Sequence, residues 1–226
     1  MQRTSPPKRR GRPPKIARDN PDTRAALVRA GTAILTEQGF TGSGIDGILK
    51  CVGVPKGSFY YYFDSKEAFG QEIIAFYGRY FARKLDRSLL DDSLPPLDRL
   101  REFIADAARG MAKYEFKRGC LVGNLGQEVN LLPASYRRQL SDILQAWQQR
   151  VARCLELARA AGQLLPGTDC MALADYFWIG WEGAVMRARL AGNAQPLERF
   201  AHGFFAGLPY TNAAATFTTS QSFEGL

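Results

Sequence analysis

The 226-residue chain contains a single histidine, His202, and none of its four cysteines forms a C-x-x-C pair. One histidine argues against a multi-histidine metal site and leaves little for a Ser–His or Cys–His hydrolase. Because nothing in the sequence suggests export, we expect the cysteines to be free thiols in a reducing cytoplasm. The sequence therefore predicts a cytoplasmic protein with no metal and no organic cofactor.

Long apolar runs and strand patterns are also missing. No stretch of about 18 apolar residues occurs, so we expect no transmembrane helix and no membrane partner. The basic start is not followed by an apolar segment, as a secretory signal would be. Alternating patterns of useful length and repeats of 20–50 residues are absent as well. The apolar share of 46% is nevertheless ordinary for a globular chain, and its helical periodicity predicts an all-α fold.

Positive charge is abundant, but it is concentrated at one end. Residues 1–20 carry a net charge of +6 out of the total of +8. Residues 1–21 also hold five of the twelve prolines and almost no large apolar side chains. Such a segment cannot bury enough surface to fold alone, so we expect a disordered basic arm. A basic arm indicates an anionic partner, with nucleic acid favoured over membrane headgroups.

Helical periodicity begins near residue 22, and local signals mark where the first helices end or start. Gly39 and Gly53 predict left-handed stops. Ser43, with an aspartate three residues later, predicts a capping box. Asp64 with Glu67 predicts the start of a long helix that continues to about residue 87.

Two short helices have the lengths and the intervening turn of a helix-turn-helix; the first opens at the Ser43 capping box and ends at Gly53, and the second spans about residues 55–62. In the second of them, Phe59, Tyr62 and Phe63 are spaced to anchor one face. The opposite face offers a cation, a glycine and hydroxyl groups, at Lys56, Gly57, Ser58, Tyr60 and Tyr61. This face suits a helix lying in the DNA major groove; an ordinary solvated polar face is the alternative.

Residues 23–69 resemble the N-terminal domain of the TetR family of transcriptional regulators. The match is carried by Gly39-Phe40, by V-P-K-G-S-F-Y-Y-Y-F at 54–63, and by Ser65-Lys66-Glu67. The resemblance implies phosphate contacts by Ser43, Tyr60 and Lys66, and base contacts by Lys56, Gly57, Ser58 and Tyr61. It also implies that a helix-turn-helix domain (21–81) precedes an effector-binding and dimerisation domain (82–208). The basic arm (1–20) comes before both domains, and the Thr-, Ser-, Ala- and Asn-rich composition of residues 209–226 predicts a flexible tail.

Within the arm, residues 8–15 read K-R-R-G-R-P-P-K and resemble an AT-hook. Arg9, Arg10 and Arg12 could enter a narrow A·T minor groove, whose negative potential attracts arginine. A nonspecific phosphate clamp is the alternative interpretation.

The segment 170–190 is apolar nearly all round, which predicts a buried helix. Its small residues Gly180, Ala184 and Ala188 recur at i, i+4 and i+8, and we expect this stripe to pack across a homodimer interface. Asp175 and Glu182 share one face of the same helix. Either they pair with arginines such as Arg118 or Arg187, or they belong to an effector pocket with Trp178 and Trp181.

Residues 116–128, F-K-R-G-C-L-V-G-N-L-G-Q-E, are the densest local signal outside the helix-turn-helix. Lys117 and Arg118 precede Cys120, and neighbouring cations lower the pKa of a thiol. The string resembles a TetR subgroup of electrophile-responsive repressors. That resemblance implies an effector site containing Arg118, Cys120, Asn124 and Glu128, and an effector that is acrylate or a related small unsaturated acid. Cys120 is interpreted either as a reactive sensor or as a packed structural thiol.

These features favour a repressor that binds a palindromic double-stranded DNA operator as a homodimer and is released by a small-molecule effector. Two other classes stay open. An architectural AT-hook protein would bind DNA with little sequence preference and without effector response. An enzyme would use Cys120 as nucleophile, but no base is evident near it.

Overall fold

The computed structural model describes residues 21–40 and 42–211, which form nine α-helices and no β-strand. The first helices build a small N-terminal unit. They are α1 (Pro21–Gln38), α2 (Ile45–Val52), a 3₁₀ turn (Lys56–Ser58) and α3 (Phe59–Tyr62). Helix α2 packs on α1, and Phe59 and Phe63 are buried beneath them. The predicted helix-turn-helix and its aromatic anchor are thus confirmed.

The remaining helices form the C-terminal unit, with α4 passing from one unit into the other. They are α4 (Lys66–Leu89), α5 (Pro96–Ala112), α6 (Leu121–Gln127), α7 (Ala134–Ala160), α8 (Cys170–Ala191) and α9 (Gln195–Ala206). Helix α7 packs along both α4 and α8. A continuous aromatic core of Phe81, Phe103, Trp147, Phe177 and Trp178 fills the space between α4, α5, α7 and α8. The boundary expected between residues 81 and 82 falls inside the continuous helix α4.

Helix ends follow the predicted signals at some positions and not at others. Gly39 and Gly53 have φ values of 73° and 70°, as a left-handed stop requires. The predicted Ser43 capping box is wrong, because Gly44 is the N-cap of α2 and no side chain caps that end. The cap of α4 is Ser65, which accepts a hydrogen bond from the Ala68 N–H at 2.9 Å, rather than Asp64.

Helix α8 is not buried all round in the single chain, which corrects the prediction. Its exposed face carries Tyr176, Ile179, Met186 and Leu190. The small-residue stripe faces the other way, since Ala188 is buried and a side chain at Gly180 would collide with Phe200 of α9. The stripe therefore mediates packing within the chain, and the exposed apolar face is the surface left over for a partner.

The first three residues of the predicted flexible tail, residues 209–211, are held against the rest of the chain. Leu165 N–H donates to the Pro209 carbonyl at 2.9 Å, and the Thr211 hydroxyl donates to the Gly162 carbonyl at 2.7 Å. Leu164 and Tyr210 form an isolated antiparallel bridge. Residues 209–211 are thus fixed against the loop between α7 and α8. Residues 212–226 and the basic arm, with Arg9, Arg10 and Arg12, lie outside the described residues.

Candidate functional site

The exposed surface of the helix-turn-helix carries most of the residues predicted to contact DNA. Lys56 and Gly57 lie exposed on the 3₁₀ turn, and a side chain at Gly57 would meet open space. Tyr60 and Tyr61 project from α3 with 70% and 48% of their surface exposed. Ser58 is half-buried at the edge of this face. Lysine, hydroxyl groups and an open glycine are thus presented together.

Two of the predicted contacts are already occupied by protein partners. The Lys56 ammonium donates to Asp46 Oδ2 at 2.9 Å, and this hydrogen bond raises the pKa of Lys56 above its ordinary value. Both side chains are largely exposed, so the pair can exchange with a phosphate. Lys66, at the start of α4, is exposed and lies 4.6 Å from the centroid of the Phe40 ring.

Ser43 differs from the other predicted contacts because it is buried. Its hydroxyl donates to the Phe40 carbonyl at 3.1 Å, and only 4% of the residue is exposed. Ser43 lies in the α1–α2 connection, two residues before α2 begins. We therefore leave Ser43 out of the contact surface.

A cavity of about 370 Å³ lies between the N-terminal and C-terminal units, a volume typical of ligand pockets. Helices α1, α4, α5 and α8 and the loop before α6 form its walls. The apolar part of the lining includes Phe76, Tyr77, Phe81, Met111 and Trp181. Sequence reasoning missed the contribution of α1, because nothing in the local pattern of α1 distinguishes a cavity wall from ordinary packing.

The polar part of the cavity wall is positively charged. Arg29, Lys84 and Arg118 line it, and no acidic side chain does so among the described residues. Lys84 is paired with Asp106 at 3.2 Å, whereas Arg29 is exposed near the opening. An apolar chamber with cations on its wall suits an organic anion.

Cys120 lies in the cavity wall, but its surroundings differ from those predicted. Lys117 pairs with Glu115, and Arg118 pairs with Glu37 at 2.6 Å, so neither cation acts on the thiol. Burial, followed by the nearby charge of Glu182, raises the pKa of Cys120 well above its ordinary value. The expectation of a thiol activated by neighbouring cations is therefore wrong.

Glu182 is the buried neighbour of Cys120 rather than the partner of an arginine. Burial raises the pKa of Glu182 to about 7, and the hydrogen bond with the Cys120 thiol acts in the opposite direction. Its Oε1 is buried without a hydrogen-bond partner among the described residues. The predicted pairing of Glu182 with Arg118 or Arg187 is thus wrong, and Asp175, two turns earlier on the same face of α8, is exposed.

Of the seven predicted effector residues, Arg118, Cys120 and Trp181 line the cavity. Trp178 packs in the aromatic core against Trp147, with ring centroids 5.3 Å apart. Asn124 and Glu128 point towards α1. The Asn124 amide donates to the Thr36 carbonyl at 2.9 Å, and Glu128 Oε1 accepts the Phe40 N–H at 3.1 Å.

The end of α1 is therefore capped by the C-terminal unit. Arg189 of α8 donates to the Glu37 carbonyl at 2.9 Å and to Asn124 Oδ1 at 3.0 Å. Carbonyl groups in the last turn of a helix have no partner within the helix, and positive charge is favourable there. These bonds join the C-terminal unit to α1, the helix on which α2 of the helix-turn-helix packs.

Comparison with known proteins identifies the family. The model described as bacterial regulatory proteins of the tetR family matches residues 27–73, and the tetracyclin repressor-like C-terminal domain matches residues 96–204. The transcriptional regulator AcuR of Cereibacter sphaeroides is 50% identical over 199 residues, which is 87% of this chain and 89% of AcuR. The chain belongs to the TetR family.

Other TetR-family proteins agree in sequence and in structure. The HTH-type transcriptional repressor DhaR of a Mycobacterium strain is 32% identical and covers 82% of this chain and 91% of its own length. A crystal structure of a TetR regulatory protein from Rhodobacter sphaeroides is 49% identical, with a TM-score of 0.80 over 82% of this chain and 98% of that one.

The TetR-family assignment settles the class of protein. The matching relatives are regulators, so the alternative of an enzyme with Cys120 as nucleophile is overturned. The resemblance predicted from residues 23–69 is confirmed, as is the all-α fold with its N-terminal helix-turn-helix. Within residues 21–40 and 42–211, no helix is long and apolar enough to cross a membrane.

Proposed function

We propose that this TetR-family regulator is a cytoplasmic repressor that binds a palindromic operator as a homodimer and is released by a small organic acid. The observation that carries the proposal is the cation-lined cavity between the N-terminal unit and the C-terminal unit. A ligand in this position contacts α1 directly. It can therefore favour one arrangement of the two units over another.

Operator recognition is assigned to the exposed face of the helix-turn-helix. Lys56, Gly57, Ser58 and Tyr61 face the bases, while Tyr60 and Lys66 hold phosphates. Two such faces in a symmetric dimer read half-sites about one helical turn, roughly 34 Å, apart. The basic arm, outside the described residues, adds long-range attraction to the phosphate backbone.

Dimerisation is assigned to the exposed apolar face of α8. Ile179 and Leu190 are 68% and 81% exposed, and they share one side of the helix with Tyr176 and Met186. Large apolar side chains concentrated on one helix face are typical of a surface that is covered in the assembly.

The class of effector is assigned by charge. Acrylate and related unsaturated acids are anionic, and the cavity wall carries arginine and lysine but no acidic group among the described residues. Cys120 contributes a neutral thiol to the same wall. We therefore assign it a packing and hydrogen-bonding role beside the ligand.

The test is selection of bound sequences from a random DNA library, followed by binding titrations with and without acrylate. We expect a palindromic sequence that is bound in the nanomolar range and released by the acid. Lys56→Ala should weaken operator binding about fivefold or more, since one charge-assisted contact is lost. Lys113→Ala, an exposed lysine after α5, is the matched control. Recovery of A·T-rich DNA without a shared sequence would instead indicate an architectural protein.

A further inference from the structure

One side chain belongs both to the effector cavity and to the interface with the DNA-reading unit. Arg118 lines the cavity, and its Nε donates to Glu37 Oε1 at 2.6 Å. Glu37 lies in the last turn of α1, beside the carbonyl groups that Asn124 and Arg189 bind. Whatever binds Arg118 inside the cavity therefore acts on a contact that fixes α1.

Arg118 has unused hydrogen-bonding capacity. Of the three side-chain nitrogens of Arg118, only Nε has a hydrogen-bond partner among the described residues. The guanidinium carbon lies 4.0 Å from the centroid of the Tyr114 ring, which also lines the cavity. Both Nη groups are thus available. A guanidinium stays charged in proteins and can hold a carboxylate with two parallel hydrogen bonds.

The pair with Glu37 is also weak enough to exchange. Arg118 and Glu37 keep 31% and 36% of their side-chain surfaces exposed. Ion pairs exposed to this extent contribute little net stability. Water screens the two charges, and holding two long side chains in one geometry costs conformational entropy. A carboxylate held by the two Nη groups shares the single positive charge of the guanidinium with Glu37, so it weakens the bond between Arg118 and Glu37.

The other cations of the cavity do not join the two units in this way. Lys84 is held by Asp106, and both belong to the C-terminal unit. Arg29 belongs to α1 itself and is exposed. Only Arg118, among the described cations of the cavity, reaches across the interface to an acid on α1.

We propose that Arg118 is the carboxylate receptor of the cavity, and that an effector carboxylate competes with Glu37 for its guanidinium. The inference rests on the proposed function, since it assumes that the cavity holds the effector. Ligand binding and the Arg118–Glu37 pair then oppose each other. Occupancy of the cavity loosens the hold of the C-terminal unit on the end of α1, which shifts the chain to the arrangement with lower operator affinity.

The test uses the full chain and probes matched in size but not in charge: acrylate with acrylamide, and trans-2-hexenoate with its amide. Affinities are measured by calorimetry, and operator release by fluorescence anisotropy. For the wild type we expect the acid to bind more tightly than its amide. Arg118→Gln should abolish that preference, with a loss of about tenfold or more in acid affinity, as expected for a charge-assisted contact.

Glu37→Gln should change the affinity for the acid in the opposite direction to Arg118→Gln. Removing the competing carboxylate should tighten acid binding several-fold and leave amide binding unchanged. By reciprocity, the acid should then release operator from this variant less effectively than from the wild type. Arg138→Gln, an exposed arginine of α7 away from the cavity, is the matched control and should behave like the wild type. Circular dichroism melting confirms that each variant is folded.

The outcomes separate the two proposals. Release of operator by acid and amide alike would overturn the role of Arg118 while supporting the effector cavity. Unchanged acid affinity in Glu37→Gln would overturn the competition. If neither acid binds the wild type, both the inference and the proposed effector class are wrong.

Discussion

The most unusual residues of the molecule are Cys120 and Glu182, a thiol and a carboxyl group buried against each other. Burial raises the pKa of both groups, that of Glu182 to about 7. Buried acids without a cation nearby favour the protonated form. The pair therefore stays neutral in slightly acidic solution, and Glu182 begins to ionise at neutral pH. The sequence string around Cys120 predicts cations that act on the thiol, but in the structure Lys117 pairs with Glu115 and Arg118 pairs with Glu37.

Glu182→Gln should flatten part of the pH dependence of stability. The folded-state pKa of Glu182 is about 7, against an ordinary value of 4.5, so the native state binds its proton more strongly. The free energy of unfolding of the wild type should therefore fall as pH rises from 4.5 to 7, by up to roughly 3 kcal/mol from this group. Urea unfolding at pH 5 and pH 8 measures the difference.

Asp175→Asn is the control for that experiment, because Asp175 is an exposed acid on the same helix. It should retain the wild-type pH dependence. Equal pH dependence in Glu182→Gln and the wild type would contradict the buried, protonated carboxyl group.

At the scale of elements, the sequence predicts helix ends that depend on neighbouring residues, and it misses contacts between residues that are far apart in the chain. Gly39 and Gly53 end their helices as expected, because a left-handed stop is a local property. The predicted N-cap of α2, Ser43, was wrong by one residue, since serine and glycine both serve as N-caps. Asn124 and Glu128 were assigned to the effector site because the order of residues in a sequence string does not show which way each side chain points. In the structure they cap α1, about 88 residues away in sequence.

Asn124→Ala should loosen the end of α1. The change removes the donor to the Thr36 carbonyl and the acceptor for Arg189. We expect a loss of about 1–2 kcal/mol in the free energy of unfolding, together with faster amide exchange in the last turn of α1. Thermal unfolding and hydrogen exchange are the measurements. Gln145→Ala, an exposed position of α7, should change neither, and an effect confined to α6 would contradict the capping role.

At the scale of the whole molecule, the exposed face of α8 shows why the prediction that this helix is buried on all sides was wrong for the single chain. A helix that is apolar all round is expected to be buried. In the single chain one side of it stays open, at Ile179 and Leu190. The composition of α8 therefore fits the proposed dimer, in which a second chain covers that side.

Ile179→Glu should convert the protein into monomers. A charge placed in a covered apolar interface costs several kcal/mol, which corresponds to a dimer dissociation constant weakened by about 100-fold or more. Light scattering coupled to size-exclusion chromatography reports the mass. Leu131→Glu, at an equally exposed position outside α8, should leave the mass of the dimer unchanged. A dimer that survives Ile179→Glu would place the interface elsewhere.

Under the proposed function, the cavity and the operator surface are linked, so that each ligand weakens binding of the other. The most direct measurement is the affinity of acrylate for the free protein and for the protein saturated with operator DNA. We expect the acid to bind the operator complex more weakly, and the operator to bind the acid complex more weakly by the same factor, roughly 5–150-fold. Equal acid affinity in the presence and absence of operator would contradict the linkage between the cavity and the operator surface.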